Sequence, residues 1–194
     1  MKVLIACEYS GRVRDAFIAQ GHDAISCDLL PTERVGPHYQ GNVFDIINDG
    51  FDLMVAHPPC TDLAVSGAAW FAKKRADGSQ QKSIEFFLAL ANANIPKICI
   101  ENPIGIMSTL WRKPSQIIQP WMFGHPESKA TCLWLKGIPL LIPTKNVKPE
   151  MELLPRNKQM RMHYLPPSPN RWKIRSETYQ GIADAMAERW SNRA

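Results

Sequence analysis

The sequence predicts an α/β fold with an open, mostly parallel sheet and helices on both faces. Short apolar runs that end in polar residues or prolines are typical of buried strands, and they occupy residues 2–7, 24–27, 51–56 and 98–101. Segments with helical apolar spacing lie between or after them, at residues 12–20, 83–94 and 178–190. Alternating strands and helices favour parallel strands joined by helical crossovers.

Length and composition predict a single domain over residues 1–194. Hydrophobic residues make up 45% and charged residues 21% of the chain, which is ordinary for a globular protein. No apolar run approaches the ~20 residues that span a membrane, and the polar Glu8 follows the first apolar run too soon for a signal peptide. We therefore expect a cytoplasmic protein without a membrane partner. The 5 cysteines have no CxxC spacing, so we expect no metal site and no disulfide framework.

The first unit of the chain has the pattern of a nucleotide-binding fold. A strand over residues 2–7 leads through a turn into a helix that Gly21 closes, and a second strand ends at Asp28. Strand, turn, helix, strand and terminal acid form the opening unit of a Rossmann-like fold that binds a dinucleotide or S-adenosylmethionine. In that geometry Asp28 accepts hydrogen bonds from ribose hydroxyls.

The third strand runs into the sequence His57-Pro58-Pro59-Cys60. The two prolines fix φ and remove backbone donors, so the loop presents Cys60 in few directions. Open α/β sheets place their chemistry at the carboxyl ends of central strands, which favours Cys60 as a nucleophile. Taken alone, Cys60 is also compatible with a small buried hydrophobic residue.

A fourth strand ends in Glu101-Asn102-Pro103, so two strands deliver a thiol and a carboxylate to one edge of the predicted sheet. Pro-Pro-Cys followed by Glu-Asn on a later strand resembles the DNA cytosine carbon-5 methyltransferases. Pro103 and Thr61 replace the usual valine and glutamine. The resemblance implies an S-adenosylmethionine-dependent methyltransferase fold, with Cys60 attacking carbon-6 of cytosine and Glu101 contacting N3.

The resemblance also implies residues that contact the cofactor and the substrate. The expected cofactor contacts are Tyr9, Ser10, Gly11, Arg12, Asp28, Leu29, Val43, Phe44, Asp45, Pro58 and Gln180. The expected substrate contacts are Pro59, Ser66, Asn102, Pro103, Lys129, Arg156, Lys158 and Arg161. For Asp45 a contact with the adenine amine and a simple helix N-cap both stay open.

Three later segments have weaker patterns. Residues 61–78 are either a flexible loop that closes over a flipped base or a helix whose Trp70 and Phe71 pack on the core. Residues 131–135 and 138–141 suggest a hairpin. Residues 144–175 are rich in proline and basic side chains, and we expect them to form a reduced insert in place of a full target-recognition domain.

The charge distribution predicts a polyanionic partner. Residues 1–100 carry 9 Lys and Arg against 11 Asp and Glu, whereas residues 101–194 carry 14 against 7. We therefore expect DNA as the substrate, although a basic surface that serves only solubility also fits. Methylation of a free cytosine nucleotide such as deoxycytidine monophosphate, and a degenerate nucleic-acid-binding protein, remain alternatives. The sequence gives no prediction of oligomeric state.

Overall fold

A mixed, mostly parallel sheet organises the protein, as seen in a computed structural model that describes residues 1–191. The strands of this part of the chain are β1 (Lys2–Ala6), β2 (Asp23–Asp28), β3 (His38–Gln40), β4 (Leu53–Ala56), β5 (Lys97–Pro103), β6 (Gln116–Ile118) and β7 (Thr131–Lys136). Their order across the sheet is β3-β2-β1-β4-β5-β7-β6. The first five strands in this order are parallel, and β7 runs antiparallel to both of its neighbours.

Helices cover both faces of the sheet, as the sequence predicts. The α-helices of the described chain are α1 (Arg12–Ala19), α2 (Phe71–Ala76), α3 (Ser79–Ala91), α4 (Met107–Leu110), α5 (Lys148–Glu152), α6 (Arg156–Gln159), α7 (Arg161–Tyr164), α8 (Arg171–Ser176) and α9 (Gln180–Ser191). Successive residues of a strand point to opposite faces. Val3 of β1 packs with Phe17 of α1 and Trp190 of α9, whereas Leu4 packs with Phe87 of α3.

The late segments differ from the expectations. The predicted hairpin is wrong: β7 pairs with β5 and β6, and residues 138–141 form no strand. The helical alternative holds for residues 65–76, where a 3₁₀ helix (Val65–Trp70) leads into α2, but Trp70 is exposed instead of packing on the core. Residues 144–175 form four short helices in which Met151 and Met162 are buried. At most one buried side chain in each of these helices is too few to give a visible helical period.

The short strand β3 has no counterpart among the strands predicted from the sequence, and the buried Arg14 explains the local order. Its guanidinium lies within hydrogen-bonding distance of the hydroxyl groups of Ser26 and Thr32 and the carbonyl oxygen atoms of Arg34, Val35 and Pro37. This one side chain therefore holds the loop that leads into β3. Within residues 1–191, no helix has the length and apolar character that a bilayer crossing requires.

Candidate active site

The carboxyl ends of β4 and β5 lie side by side, which confirms the predicted meeting of the two strand ends. Ala56 pairs with Ile100 in the last register position of the two parallel strands. Beyond that position the backbone N–H of His57 still donates to the carbonyl of Ala6 at 2.9 Å. The loop that carries Cys60 therefore leaves the sheet directly beside Glu101.

Two side-chain contacts join these strand ends. Nδ1 of His57 lies 3.0 Å from Oε2 of Glu101, and the side chains are 9% and 17% exposed. The amide of Asn102, which is buried, donates to the carbonyl of Pro58 at 2.8 Å. Asn102 and Pro58, expected at the substrate and the cofactor, thus hold the Pro-Pro-Cys loop against β5. No pattern in the sequence predicts this role of His57, which directly follows the third predicted strand.

The charges around Cys60 act in opposite directions. Burial raises the pKa of its thiol, the negative charge of Glu101 raises it further, and the positive charges of Lys129 and Arg175 lower it. The net result is a pKa above the ordinary value. The charge of Glu101 therefore acts on the Cys60 thiol, and the thiol needs a proton acceptor before it becomes a nucleophile.

For Glu101 the surrounding charges and burial shift the pKa in the direction opposite to that of Cys60. Burial by itself raises the pKa of its carboxyl group, but the hydrogen bond and charge of His57 and the charge of Lys129 outweigh it. The pKa of Glu101 therefore lies below its usual value.

The charge of Lys129, a residue predicted to contact the substrate, acts on both Cys60 and Glu101, but its ammonium group already has a partner. Nζ donates to the carbonyl of Arg175 at 2.7 Å, and the backbone N–H donates to Gln119 at 2.9 Å. This contact brings α8 next to the strand ends. Arg175, which the sequence analysis placed only in the general basic segment, thereby joins the site.

Backbone hydrogen bonds join the loop after Cys60 to the loop after β5. Ala64 forms a bridge with Gly105, and the N–H of Val65 donates to the carbonyl of Ile104 at 3.0 Å. A Cβ atom at Gly105 would lie 2.4 Å from the carbonyl oxygen of Leu63, so only glycine permits this approach. Ser66 is exposed on the adjoining 3₁₀ helix, and Pro103 is partly buried at the end of β5.

The turn between β1 and α1 is organised by an acid that the sequence analysis did not assign. The buried Glu8 carboxylate accepts the backbone N–H groups of Val13 at 2.7 Å and Arg14 at 3.2 Å, and the Ser10 hydroxyl at 3.0 Å. Gly11 begins the helix with φ +71°, a conformation that favours glycine. An acid just before a predicted helix is a capping signal, and it was available in the sequence.

Tyr9 and Arg12, both expected at the cofactor, contact the chain that precedes α9. The Tyr9 hydroxyl lies 2.9 Å from the carbonyl of Lys173 and 3.0 Å from the Ser176 hydroxyl. Arg12 forms an ion pair with Glu177. These contacts span more than 160 positions in sequence, so no local pattern predicts them.

A pocket of about 190 Å³ lies beside this turn and reaches the Pro-Pro-Cys loop. Its lining residues are Cys7, Cys27, Asp28, Leu29, Gly41, Asn42, Val43, Pro59 and Phe86. Asp28, Leu29 and Val43 were expected at a cofactor site, and Pro59 was expected at the substrate. The lining thus joins part of the expected cofactor set to the loop that carries Cys60.

Asp28 provides a carboxylate at this pocket. Burial raises its pKa, while the backbone N–H groups of Leu30 and Leu29 and the charge of His38 lower it, and the net shift is upward. Oδ1 accepts the N–H of Leu30 at 3.0 Å.

The other expected cofactor residues do not line the pocket, and Asp45, Phe44 and Gln180 have contacts of their own. Asn42 caps the 3₁₀ helix Val43–Asp45, so the N-cap interpretation of Asp45 is wrong, and Asp45 instead accepts the Tyr39 hydroxyl at 3.0 Å. Phe44 packs edge-on against Phe86, with ring centroids 5.5 Å apart. Gln180 donates to Asp184 at 2.8 Å within α9.

The expected DNA-contacting cations fall into two groups. Arg156 and Lys158 are exposed on α6. Arg161 instead forms an ion pair of 2.8 Å with Glu127, whose other carboxylate oxygen accepts the Tyr179 hydroxyl at 2.6 Å. That arrangement fixes α7 to the start of α9. The basic segment is therefore partly structural, which charge counting cannot distinguish.

A second pocket, of about 330 Å³, lies on the basic segment. It is lined by Pro167, Ser168, Arg171, Trp172 and Arg175. Trp172 is 53% exposed, and Arg175 is the residue whose charge reaches Cys60. An exposed aromatic ring between two arginines suits a nucleotide, because bases stack on aromatic faces and phosphates bind guanidinium groups.

The described residues contain no cluster of three or more His, Cys, Asp or Glu side chains suited to a metal ion, and the five cysteines are free thiols. Comparison of the chain with models of known protein families gives no match, and comparison with curated proteins gives no significant match either.

Proposed function

We propose that this protein transfers a methyl group from S-adenosylmethionine to carbon-5 of cytosine in DNA. One observation carries the proposal. Cys60 lies on the loop after β4, Glu101 lies near the end of the adjacent parallel strand β5 and its charge acts on the thiol, and the pocket beside this loop is lined by Pro59. A thiol and a carboxylate in this arrangement supply the nucleophile and the N3 partner that carbon-5 methylation of cytosine requires.

The residues of the pocket fit S-adenosylmethionine better than a dinucleotide. Asp28 is placed to accept ribose hydroxyls, and Leu29, Val43 and Phe86 supply apolar surface for adenine. A dinucleotide needs the helix N-terminus for its pyrophosphate, but the Glu8 carboxylate already accepts the first N–H groups of α1. A nucleoside cofactor without phosphate avoids this conflict. When bound, S-adenosylmethionine supplies an electrophilic methyl group.

The reacting residues would act on the ring of cytosine. Carbon-5 is a weak nucleophile, and addition of the Cys60 thiolate to carbon-6 converts the ring into an enamine-like adduct that is nucleophilic at carbon-5. The same addition moves negative charge toward N3, where Glu101 would stabilise it by donating a hydrogen bond once its carboxyl group carries a proton. The cations Lys129 and Arg175 favour the thiolate that starts the reaction.

DNA is the substrate that the basic segment supports. Exposed cations on α6 suit phosphates, and the pocket lined by Arg171, Trp172 and Arg175 offers a place for a nucleotide, with the charge of Arg175 acting on the reacting thiol. A duplex would have to release its cytosine from the base stack at a cost of a few kcal/mol. The competing substrate, a free cytosine nucleotide, has a single phosphate group and would need only a cation such as Arg175 from this surface.

Labelled cofactor distinguishes these substrates. The protein is incubated with labelled S-adenosylmethionine and with duplex DNA, single-stranded DNA or deoxycytidine monophosphate at two salt concentrations. We expect label in DNA, with transfer that weakens as salt rises. Label in the mononucleotide alone would replace DNA by the free nucleotide. Absence of cofactor binding by calorimetry at millimolar concentration would leave only the degenerate nucleic-acid-binding alternative.

A further inference from the structure

The ring of His57 has one nitrogen with a partner and one without. Nδ1 contacts Glu101 at 3.0 Å, but Nε2 is buried and has no hydrogen-bond partner anywhere in residues 1–191. The side chain is only 9% exposed. A buried polar atom left without a partner is unfavourable and calls for a functional explanation.

The position of the shared hydrogen follows from the acceptor. An ionised carboxylate only accepts hydrogen bonds, so with Glu101 ionised the hydrogen lies on Nδ1 of His57. Nε2 of a neutral imidazole is then a free lone pair. Together the two side chains, which we name the His57/Glu101 pair, carry one negative charge and have room for one more proton.

The groups around the pair leave one proton donor close by. Burial raises the pKa values of Cys99 in β5 and Cys132 in β7, and the charge of Glu101 raises them as well, so both remain neutral thiols. Lys129 and Arg175 contribute positive charge from the segment before β7 and from α8. The remaining neighbour is Cys60, on the loop after β4, which must lose its proton to react.

We propose that His57 keeps Glu101 ionised, and that the His57/Glu101 pair takes the thiol proton of Cys60 and passes it to N3 of the target cytosine. This inference rests on the proposed function and identifies the acceptor that the thiol requires. It also gives the unpaired Nε2 a use, since the pair can hold the transferred proton on either residue.

The proton balance closes within the site. The S–H bond of Cys60 breaks as the bond from sulfur to carbon-6 forms, and the proton moves to the pair. N3 then takes that proton as its electron density rises, and the pair returns to its negative charge. At the end of the cycle the bond from sulfur to carbon-6 breaks, sulfur leaves with the electron pair, and the N3 proton returns through the pair to sulfur. Only the proton of carbon-5 leaves, and it passes to water.

The test is the pH dependence of Cys60 alkylation by iodoacetamide, measured by mass spectrometry of the peptide that contains Cys60. It needs neither cofactor nor substrate, so it is independent of the proposed activity. In His57→Ala the buried carboxyl of Glu101 loses its donor and takes up a proton. The negative charge beside Cys60 then disappears, and the alkylation midpoint should fall by about one pH unit.

Matched variants separate charge from folding and access. His57→Asn keeps an N–H donor near Nδ1 and should retain the wild-type midpoint. Glu101→Gln removes the charge without changing the size of the side chain and should lower the midpoint as His57→Ala does. The variant that combines the two substitutions should show the same midpoint as either one alone. Lys129→Met removes a cation and should raise the midpoint. His22→Asn, far from the site, should leave it unchanged.

An unchanged or raised midpoint in both His57→Ala and Glu101→Gln would overturn the inference. A variant that only made Cys60 more accessible would be alkylated faster at every pH with the same midpoint. That result would also contradict the inference. If the midpoint falls but no cytosine substrate is methylated, the pair governs Cys60 and the proposed reaction is wrong. If methylation occurs, His57→Ala should lower kcat and move the acid limb of its pH profile, with little change in KM for the cofactor.

Discussion

The side chains of His57 and Glu101 meet at the ends of two parallel strands, with Nδ1 and Oε2 3.0 Å apart. One residue further along, Asn102 and Pro58 form a second contact of 2.8 Å between the same two segments. The paired contacts explain how a loop with two prolines is held in one position relative to β5. The structural contact can be tested separately from the chemical one.

Replacing Asn102 by alanine should destabilise the protein by about 1–3 kcal/mol, because the carbonyl of Pro58 loses its donor in a buried place. Urea unfolding followed by circular dichroism measures this free energy. Asn157→Ala, at an exposed position of α6, is the control and should change it by less than about 0.5 kcal/mol. Equal stabilities of the two variants would show that the contact is unimportant.

Replacing Glu8 by glutamine should weaken the start of α1. The carboxylate accepts two backbone N–H groups and a hydroxyl, and losing its charge at a helix N-terminus should cost about 1–2 kcal/mol. Thermal unfolding compares this variant with Glu85→Gln, an exposed change within α3. We also expect weaker S-adenosylmethionine binding in Glu8→Gln, because the turn beside the pocket loses its anchor. Unchanged stability would contradict the capping role.

Replacing Arg156 and Lys158 by glutamine should reduce the salt dependence of DNA binding. If half of the eight cations in residues 144–175 reach phosphates, affinity should fall with salt at a log–log slope of roughly −3 to −4, and each lost contact should lower its magnitude by about 0.9. Fluorescence anisotropy at several salt concentrations gives the slope. Lys82→Gln, an exposed cation on α3, is the control. Identical slopes for all three proteins would remove α6 from the DNA surface.

Acid should destabilise the protein partly through His125. Burial lowers the pKa of this side chain, and the opposing charge of Glu127 does not cancel the effect. Its Nε2 accepts the N–H of Gly181 at 3.0 Å, which requires the neutral ring. A lowered pKa means that the contribution is complete above the ordinary histidine pKa of about 6.5 and is lost as pH falls through the lower folded value.

The unfolding free energy as a function of pH checks this prediction. His125→Gln retains an acceptor that does not titrate, so its stability should fall less between about pH 7 and pH 5 than that of the wild type. The pKa of His22 is also lowered by burial, and that effect is common to both proteins. Parallel curves would show that His125 does not contribute.

The sequence predicts the main features of the fold because the central strands are local apolar runs. The ends of β4 and β5 could be placed together from those runs and the polar residues that follow them. The hydrogen bonds and the ion pair that Tyr9 and Arg12 form with residues 173–178 could not be predicted, because they depend on how segments distant in sequence pack. The role of His57 could not be predicted for a different reason. It depends on the direction in which the imidazole ring points toward Glu101, and residue spacing in the sequence does not determine that direction.

The basic segment shows a second limit of pattern analysis. Its charge count predicts that all of its cations can face DNA. In the structure, however, Arg161 forms an ion pair with Glu127, and Lys173 forms one with Glu33. A cation that stabilises the fold and one that faces solvent are identical in composition. Only their neighbours in space distinguish them.

Covalent trapping on a cytosine substrate tests the central claim most directly. An oligonucleotide in which 5-fluorocytosine replaces the target cytosine is incubated with the protein and S-adenosylmethionine, because fluorine cannot leave as a proton does. Mass spectrometry of the intact complex and of its peptides then identifies the attached residue. We predict a covalent complex through Cys60, and none with Cys60→Ser, which should retain its fold and cofactor affinity but lose transfer by a factor of about 10³ or more. A folded wild-type protein that binds the cofactor but forms no such complex, or an active Cys60→Ser variant, would contradict the account.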